Sequence, residues 1–443
     1  MVTHVDTLIV GGGATGSAAA WHLARSGVDV LLVEQAHCPS PGPPPATDAA
    51  TTALAARAAL PGSAASADRA DRAATPAPAA RTLSLPAPFL LSSLDPVDLA
   101  LLREAVGQWA ELEQETGRIL LDPVGAALHG SVAALDTLAE RLPRFGFATE
   151  VLDAAEAGDR WPGIRFDDRV LFTPGAGRID PDAAVDAFRR AAAAEGAELR
   201  FGEAVRRVRI LGDDEVSVEL QPVDHLGNET GEAQQIVAHR AVFAVGAWTS
   251  KLLGRLIALP RVTVAREQVS LHAQAPAAMQ ADAAWPSLTH RPDPAERRYR
   301  GWLGTIDVVT SGAGAAAGAG ATAAAGAAAL AWRGAGKVAD PDTVLSRSDP
   351  RQRAALRRYA REWLPGVDPN AFDEVQKTLL RTADARFIVD RIGPVVVGAG
   401  LAESDFSFAP AIGRILADLA AGIRDSRSPA RFSLKTRLRE GAV

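Results

Sequence analysis

A glycine-rich turn between a strand and a helix constrains this chain more than any other feature of its sequence. The run Gly11-Gly12-Gly13-Ala14-Thr15-Gly16 follows the apolar residues 7–10 and precedes a helical pattern that Gly27 ends. A second apolar strand, residues 28–33, then leads to Glu34. In such a unit the first glycine permits a tight turn, the second lets the backbone approach a pyrophosphate, and the third lets helix and strand pack closely. The context predicts a dinucleotide-binding βαβ unit rather than a glycine turn without a ligand.

The same unit indicates which residues hold the dinucleotide. Free N–H groups and a partial positive charge at the start of the helix suit a diphosphate. The carboxylate of Glu34 is placed to accept hydrogen bonds from an adenosine ribose. The residues predicted to contact the dinucleotide here are Gly11, Gly13, Ala14, Thr15, Gly16, Glu34 and Gln35.

The composition narrows the class of protein and its surroundings. The 443 residues are 47% apolar and 23% charged, which is ordinary for a folded protein large enough for two or three domains. The net charge of −6 argues against a nucleic-acid surface, which needs a basic face. Cys38 is the only cysteine, so we expect no intrachain disulfide, no cysteine metal cluster and a reducing, cytoplasmic setting.

Two observations bear on targeting. The chain enters its first strand without the basic stretch and apolar core of a signal peptide, so we predict no secretion signal. Residues 312–330 carry no charge over a length that suits a bilayer, but they are almost all Ala and Gly. Because such residues gain little on transfer to lipid, we expect no membrane segment.

The spacing of the patterned regions predicts a discontinuous nucleotide-binding domain. The first 38 residues supply too few strands for a doubly wound sheet, and the apolar strands ending at Gly246 and Gly400 are the best candidates to complete it. The predicted segments are 1–38, 151–256 and 373–443 for the nucleotide-binding domain, 81–150 and 257–372 for the inserted domain, and 39–80 for a low-complexity loop.

The remaining patterns give a coarse secondary structure. Residues 216–220 and 235–237 are expected to form the arms of a hairpin that turns at residues 226–228, with residues 240–245 as a separate strand. The Ala/Gly-rich run 311–331 is expected to be a flexible loop or a loose helix.

Several later blocks follow the glycine motif in an order that resembles a known family. They are Arg160-Trp161-Pro162-Gly163, Phe172-Thr173-Pro174, Gly177, residues 244–252, Phe387-Ile388-Val389-Asp390 and residues 395–400. This order resembles the FAD-dependent D-amino-acid-oxidase superfamily, in particular its monomeric sarcosine oxidase and N-methyltryptophan oxidase branch. The resemblance implies an α/β fold, with a discontinuous Rossmann-like FAD-binding domain and an inserted α+β substrate domain built on an antiparallel sheet.

The resemblance also implies an activity. The family uses FAD to oxidise the C–N bond of primary or secondary amino acids, with hydride transfer to the flavin and reoxidation of the flavin by oxygen. The implied partners are a small amine or N-methyl amino-acid substrate and molecular oxygen. The sequence does not indicate an oligomeric state.

Further cofactor contacts are implied by matching positions. The backbone of Val205 would contact the adenine, and Gly246 and Trp248 would line the adenosine side of the channel. Gly400 and the residues after it, including Phe406 and Ser407, would approach the flavin ring.

The positions that carry chemistry in the family differ in this chain. Ser404 stands where the family has a histidine, and Ser407 where it has a lysine that pairs with the substrate carboxylate. Lys377 stands at the cysteine that tethers the flavin, which implies non-covalent FAD. Ala329 occupies the position of a lysine implicated in oxygen activation.

An amino-acid substrate needs a cation for its carboxylate, preferably a guanidinium. Arg81 is the only remnant of the arginines that follow the ribose acid in the family, and Arg266 and Arg300 are expected to lie on or near substrate-domain strands. The candidate catalytic residues are therefore Arg266, Arg300, Ser404 and Ser407.

Three functions remain open at this point. The first is a working FAD-dependent amine or amino-acid oxidase with a remodelled pocket. The second is a relative that kept the fold, with or without flavin, and lost catalysis. The third is a flavin dehydrogenase that passes electrons to a carrier instead of oxygen, which agrees with Ala329. An NAD-dependent dehydrogenase is disfavoured because the C-terminal flavin-loop strand would then have no role.

Overall fold

The computed structural model describes residues 2–37, 87–89, 95–274, 284–292, 305–310, 327–334, 336–342, 348–400, 403–423 and 430–439. The predicted low-complexity segment 39–80 lies outside these residues, as do Cys38, Arg81 and Arg300.

The described residues form strands, α-helices and short 3₁₀ helices, numbered here in chain order. The strands are β1 (Val2–Val10), β2 (Val30–Glu34), β3 (Ala87–Phe89), β4 (Leu121–Asp122), β5 (Ala126–Gly130), β6 (Glu150–Leu152), β7 (Val170–Thr173), β8 (Gly177–Ile179), β9 (Glu198–Phe201), β10 (Glu203–Gly212), β11 (Glu215–Pro222), β12 (Gln234–Phe243), β13 (Val262–Gln274), β14 (Ser287–Arg291), β15 (Ile306–Thr310), β16 (Ala327–Trp332), β17 (Lys337–Val338), β18 (Val367–Thr382), β19 (Ile388–Ile392) and β20 (Val395–Ala399). The α-helices are α1 (Ala14–Arg25), α2 (Pro96–Thr116), α3 (Val132–Arg144), α4 (Ala154–Arg160), α5 (Pro181–Ala194), α6 (Thr249–Leu253), α7 (Pro350–Trp363), α8 (Ala409–Ala420) and α9 (Leu434–Arg439). The 3₁₀ helices are Gly246–Trp248, Glu403–Phe408 and Ala430–Phe432.

The first sheet is parallel at its centre. Its parallel strands lie in the order β9-β2-β1-β12-β20. Strand β19 pairs antiparallel with β20, and the β10–β11 hairpin pairs with the first half of β12. The central strands are continuous apolar runs because both of their faces are covered: Ile9 and Leu32 pack into one core, while Leu8 and Val33 pack into another.

Helix α1 lies on one face of this sheet, against α5 and α8. Its buried residues are small where α8 crosses it, and a Cβ built on Gly413 would lie 2.5 Å from the Cβ of Ala18. The two helices therefore approach at backbone distance, which fixes α1 and its N-terminus against the sheet.

The second sheet has the strand order β17-β13-β16-β15-β14-β5-β7-β6, with β18 also paired to β13. All of its pairs are antiparallel except β5–β14. Helices α4 and α7 cover one face, the outer face, through a core that includes Leu288, Leu330, Tyr359 and Trp363. Alternation along the strands places other side chains on the opposite, inner face. The inner-face residues used below are Glu267, Val269, Leu271, Ser287, Thr289, Arg291, Asp307, Ala329, Ala331, Arg333 and Val375.

A third, small sheet with the order β3-β8-β4 lies against this inner face. The Ser287 hydroxyl donates a hydrogen bond to the Gly177 carbonyl of β8 at 2.6 Å. Arg178, also on β8, donates to the Thr310 carbonyl at 2.7 Å and to the Asp122 carboxylate. On β3, Phe89 is buried in the core that includes Phe408. The small sheet therefore connects the inner face to the segment that follows Gly400.

The α/β fold class predicted from the sequence is confirmed, and two local predictions are wrong. Residues 235–237 and 240–245 do not form two strands, because β12 runs from Gln234 to Phe243 as one strand while it pairs with β1. Part of the Ala/Gly-rich run 311–331 is neither loop nor helix, because Ala327–Trp332 form β16 between β13 and β15. Pairing on both sides decides the conformation of residues whose own β propensity is low.

The predicted domain bounds remain a proposal. Strand β7 and all but the first residue of β6 lie within the segment 151–256, yet both strands pair in the second sheet, and β18 crosses the predicted bound at residue 373.

Within the described part of the chain, we find no helix that is both long and apolar enough to cross a membrane.

Candidate active site

Four parallel neighbours of the first sheet end at the same edge, and a predicted cofactor-binding segment stands at the end of each. Strand β2 ends at Glu34, β1 leads to Gly11, β12 leads to Gly246 and β20 leads to Gly400. Open α/β sheets bind ligands beyond the carboxyl ends of their strands. The fold thus brings together four segments that are up to 389 residues apart, from Gly11 to Gly400.

The turn after β1 requires glycine at its first and last motif positions. Gly11 has φ +100°, and a Cβ there would lie 2.4 Å from the Ala244 carbonyl oxygen. A Cβ on Gly16 would lie 1.9 Å from the Gly11 carbonyl oxygen. These contacts fix the turn against β12 and against its own helix, in the roles predicted for the two glycines.

Gly13 is different, because a Cβ built there meets nothing within 4 Å. Gly13 is exposed, has an ordinary φ of −69°, and is the N-cap of α1, where no side chain caps the free N–H groups. Ala14 and Thr15 form the first turn of the helix. Open space beside an uncapped helix N-terminus fits a diphosphate.

Gly12 is held from three directions. Its N–H donates to Glu34 Oε2 at 2.6 Å, and its carbonyl accepts from Ser17 Oγ at 2.8 Å. The same carbonyl accepts from Arg189 of α5, at 3.1 Å from Nε and 2.6 Å from Nη2. Sequence reasoning missed Arg189, which lies 177 residues away and follows no motif.

Glu34 and the segment after it define the other end of the edge. Glu34 is half-buried, and its Oε1 accepts from the Ala36 N–H at 2.8 Å, while Gln35 is exposed. His37 donates from Nε2 to the Val223 carbonyl at 2.8 Å. Val205, distant in sequence, lies half-buried on β10, where the pairing with β11 shifts register.

The segment after β20 is shaped by Gly400 and Trp109. Gly400 has φ +82°, and a Cβ there would lie 3.0 Å from Cγ2 of Thr382. In the 3₁₀ helix Glu403–Phe408, the Ser407 carbonyl accepts from Trp109 Nε1 at 2.9 Å, and the Trp109 ring stacks on Phe406. Helix α2 therefore anchors the loop that the sequence assigns to the flavin.

The Ser407 side chain is fully buried, and its Oγ has no hydrogen-bond partner among the described residues. A buried hydroxyl normally finds a partner, so this atom suits a polar ligand atom beside the loop. The Ser407 hydroxyl and the open space beside Gly13 are therefore both consistent with a bound flavin dinucleotide. Ser404 lies in the same 3₁₀ helix.

Gly246 and Trp248 occupy the adjoining 3₁₀ helix, and both are exposed. Trp248 donates from Nε1 to Asp342 Oδ1 at 2.7 Å. Lys251 pairs with Asp340 at 2.6 Å and also with Asp342, and these hydrogen bonds raise the pKa of the Lys251 ammonium. In the structure Trp248 thus contacts the segment after β17, and its contact with adenosine stays a prediction.

The inner face of the second sheet carries two ion pairs that the sequence did not reveal. Asp307 accepts from Thr289 Oγ1 at 2.9 Å and from Arg333 at 3.0 Å and 2.6 Å. Glu267 pairs with Arg381 and accepts from the Gly334 N–H at 2.8 Å. The alternation of side chains along the strands is the only sequence signal that could have placed these charged residues on one face. Using that signal would have required the register of five strands.

The structure separates Arg266 from this group. Arg266 precedes Glu267 on β13 and so points to the opposite side of the strand, where its Nη2 lies 3.4 Å from the Asp340 carbonyl. Ala329 lies on the inner face, buried beside Val269 and Leu271. Lys377 lies on β18, directly opposite Glu267 of the neighbouring strand β13.

Within the residues that the structure describes, no group of three or more His, Cys, Asp or Glu side chains is arranged to hold a metal ion.

The glycine turn and the uncapped N-terminus of α1, at one edge of the first sheet, suit a dinucleotide-binding protein, and comparison with known families is specific. The family model described as FAD dependent oxidoreductase matches residues 6–419, and the chain belongs to this family. The match confirms the resemblance drawn from the sequence.

Similar proteins include several sarcosine oxidases and other flavoenzymes. The monomeric sarcosine oxidase of Bacillus sp. (strain NS-129) is 24% identical over 458 aligned residues, which cover 98% of this chain and 97% of that protein. Among solved structures, NikD, an unusual amino acid oxidase essential for nikkomycin biosynthesis, has a TM-score of 0.68 and 22% identity over 97% of each chain. L-proline dehydrogenase from P. horikoshii has a TM-score of 0.70 and 15% identity over 100% of this chain and 99% of that one. At these identities the structural likeness shows the shared fold.

Proposed function

We propose that this protein oxidises the C–N bond of a small amine or N-methyl amino acid, using non-covalently bound FAD and molecular oxygen as the acceptor. The observation that carries the proposal is the shared edge of the first sheet, where Glu34, Gly13, Gly246 and Gly400 meet. The named activity of the sarcosine oxidases that resemble this chain over nearly its whole length supports the same reaction class.

Different residues along that edge would contact different parts of FAD. Glu34 would hold the ribose, with Gln35 beside it and the Val205 backbone at the adenine. Gly11, Gly13 and Gly16 would let the diphosphate reach the N–H groups of α1, and Arg189 would keep the Gly12 peptide in place. Bound FAD would supply the acceptor for a hydride from the carbon next to the substrate nitrogen.

Near the flavin ring, this chain offers Gly400, Phe406 and Ser407. Phe406 and Trp109 would wall the site with apolar surface, and Ser407 Oγ would meet a polar atom of the bound group. The N-terminus of α8, which follows this loop, favours negative charge on a neighbouring group.

Non-covalent attachment is supported by Lys377 and by the cysteine count. Lys377 stands at the position of the tethering cysteine, and Cys38 is the only cysteine of the chain. A single cysteine also suits a reducing, cytoplasmic compartment.

A second candidate function is a dehydrogenase that passes electrons to a carrier. Ala329 supports it, because this neutral residue is buried on the inner face where a lysine would bring charge near the acceptor. The residues around Ala329, Val269 and Leu271, are apolar as well.

The test begins with the absorbance spectrum of the purified protein. We expect a yellow protein whose flavin is released by heat or acid, because attachment is non-covalent. Anaerobic mixing with N-methyl amino acids and amines should bleach the flavin, and air should restore the colour with oxygen uptake. Bleaching without oxygen uptake would support the dehydrogenase. A yellow protein that no amine bleaches would support a non-catalytic relative, and a colourless protein that gains no flavin would refute both redox functions.

A further inference from the structure

A tight turn that joins the two sheets lies directly against Gly400. Strand β18 of the second sheet ends at Thr382, and the chain then enters β19 of the first sheet. A Cβ built on Gly400 would have three nearest neighbours. They are Cγ2 of Thr382 at 3.0 Å, the carbonyl oxygen of Arg386 at 3.1 Å and Cα of Phe387 at 3.6 Å. All three belong to residues 382–387, which we call the crossover turn.

The crossover turn holds an alanine in a backbone conformation that favours glycine. Ala385 has φ +53°, and among the described residues it is the only one other than glycine with a positive φ. Its N–H donates to the Thr382 carbonyl at 3.2 Å, and Asp384 Oδ1 accepts from the Arg386 N–H at 3.2 Å. An alanine keeps a left-handed conformation only where the surrounding structure holds it there. The turn must therefore be braced by its neighbours.

Arg437, on helix α9, provides such a brace. Its side chain is 0% exposed, which makes it the most deeply buried Asp, Glu, Lys or Arg side chain in the described part of the chain. Its Nη2 donates to the Phe387 carbonyl at 2.7 Å and lies 3.4 Å from Asp384 Oδ1. Burial of a guanidinium is costly unless it is paired and hydrogen-bonded. One buried cation thus fixes two residues of the crossover turn.

The C-terminal segment 430–439, which carries Arg437, is itself attached to the core around the site. Asp390 Oδ2 of β19 accepts from the Leu434 N–H at 2.7 Å. Arg431 donates to the Asp98 carboxylate of α2 at 2.9 Å. The same helix α2 holds the loop that the sequence assigns to the flavin. The C-terminal segment is therefore a rigid base from which Arg437 reaches the crossover turn.

We propose that Arg437 is a positioning residue for the flavin, and that it sets the place of Gly400 and of the loop after it through the crossover turn. This inference rests on the proposed function, which places FAD at the edge of the first sheet, and it gives the C-terminal segment a role in cofactor binding. Arg437 acts without touching FAD, because its guanidinium is enclosed and engaged by the turn. Without this brace, FAD would have to order the turn as it binds, which weakens binding and alters the surroundings of the ring.

The dissociation constant of FAD, measured by fluorescence titration of the apoprotein, tests the proposal without a substrate. Arg437→Met removes the hydrogen bond to Phe387 and the ion pair with Asp384. Because a hydrogen bond from a charged donor is lost, FAD binding should weaken about 10- to 100-fold, and the absorbance bands of the bound flavin should shift. Arg437→Lys keeps the cation but loses the planar fork, so it should recover part of the affinity.

Leu434→Ala is the matched control for stability. Leu434 lies on the same helix, is 3% exposed and packs in a core of the first sheet, so its truncation should lower the melting temperature by an amount comparable to Arg437→Met. It removes no hydrogen bond to the crossover turn, so the FAD dissociation constant and the flavin spectrum should stay near those of the wild type. Equal weakening of FAD binding in both variants overturns the proposal, because Arg437 would then act through stability alone.

Asp384→Asn provides a second test that does not depend on the folding of Arg437→Met. The amide keeps an acceptor for the Arg386 N–H but removes the charge that faces Arg437, so FAD binding should weaken by a smaller factor than in Arg437→Met. Combining Asp384→Asn with Arg437→Lys should add little to either loss, because both changes act on one contact. Additive losses, or an unchanged FAD dissociation constant in folded Arg437→Met, overturn the proposal.

The outcome for the wild-type protein separates this inference from the proposed function. FAD binding is measured with no amine present, so a protein that binds FAD in the manner described but is bleached by no amine refutes the proposed oxidation and leaves the role of Arg437 supported. A wild-type protein that binds no FAD refutes both.

Discussion

The guanidinium of Arg189 donates two hydrogen bonds to the carbonyl oxygen of Gly12, one from Nε at 3.1 Å and one from Nη2 at 2.6 Å. The contact joins the middle of α5 to the turn after β1, and the Arg189 guanidinium also lies over the ring of Phe201, 4.9 Å from its centroid. A side chain from a distant helix thus stiffens the backbone that is expected to meet a diphosphate. This contact helps the glycine turn keep one conformation.

Replacement of Arg189 by Met should loosen this turn. Loss of a hydrogen bond from a charged donor to the Gly12 carbonyl should lower the free energy of unfolding by about 1.5–3 kcal/mol, and FAD should be retained less well. Urea unfolding and the flavin-to-protein absorbance ratio after gel filtration measure the two effects. Arg190→Met, the next residue of the same helix with an exposed pair to Asp186, should leave the flavin ratio unchanged. Equal flavin ratios in both variants would contradict a role for Arg189 in the turn.

Substitution of Gly13 by Leu should abolish flavin binding without unfolding the protein. The new side chain would enter open space, and the change of N-cap residue should cost about 1 kcal/mol or less. Gly16→Leu should instead prevent folding, because its Cβ would overlap the Gly11 carbonyl. Soluble yield, melting temperature and bound flavin are compared for the two variants. Normal flavin content in Gly13→Leu would show that the diphosphate does not lie there.

Replacement of Trp109 by Phe should release the loop 403–408 from α2. The lost hydrogen bond to the Ser407 carbonyl should weaken FAD binding roughly 2- to 12-fold, which corresponds to about 0.5–1.5 kcal/mol. Trp21→Phe is the matched control, because Trp21 is equally buried and donates to Glu115 at 2.8 Å, away from the loop. Both variants should melt earlier, but only Trp109→Phe should change the dissociation constant measured by fluorescence titration of FAD. An equal change of the FAD dissociation constant in both variants would show that Trp109 contributes only through packing.

Acid should destabilise the protein through His22. Burial lowers the pKa of His22 to about 3, with smaller contributions from the charges of Arg25 and Arg414, while its hydrogen bond to the Pro410 carbonyl opposes the shift. An unfolded histidine has a pKa of about 6.5, so between these values the unfolded state binds one more proton than the folded state. The free energy of unfolding should therefore fall as pH drops below about 6.5, by up to about 1.4 kcal/mol per pH unit from this group.

The free energy of unfolding of His22→Asn, measured between pH 7.5 and 4.5, tests this contribution of His22. The variant should show a shallower loss of stability than the wild type over that range. His225→Asn, in the exposed turn of the β11–β12 hairpin, should follow the wild-type slope. Parallel slopes for all three proteins would place the acid sensitivity elsewhere, with His272, whose pKa burial also lowers, as the next candidate.

Much of the first sheet followed from the sequence because its signals are local. The glycine spacing, the apolar runs and Glu34 all lie within residues 7–34, and each acts on its immediate neighbours in the chain. The start of α5 is also set by local signals, since the N-cap Asp180 precedes Pro181 and its side chain accepts from the N–H groups of Asp182 and Ala183.

The second sheet was harder to predict from the sequence, and β16 shows the reason. Alanine, which makes up four of the residues 327–332, has little strand preference of its own. These residues form a strand because β13 and β15 offer hydrogen bonds on both sides. The predicted cation Arg266 illustrates the same limit. Without the register of β13, nothing distinguishes Arg266 from its neighbour Glu267, although the two point to opposite sides of the sheet.

The amino-acid sequence alone therefore determined that the chain begins with a dinucleotide-binding unit and resembles a flavin-dependent family, because those features depend on contacts between near neighbours. The tertiary structure decided how the ends of β1, β2, β12 and β20 share one edge, and which charges meet on the inner face. Those relationships join residues hundreds of positions apart, and strand pairing and register fix them rather than any local pattern.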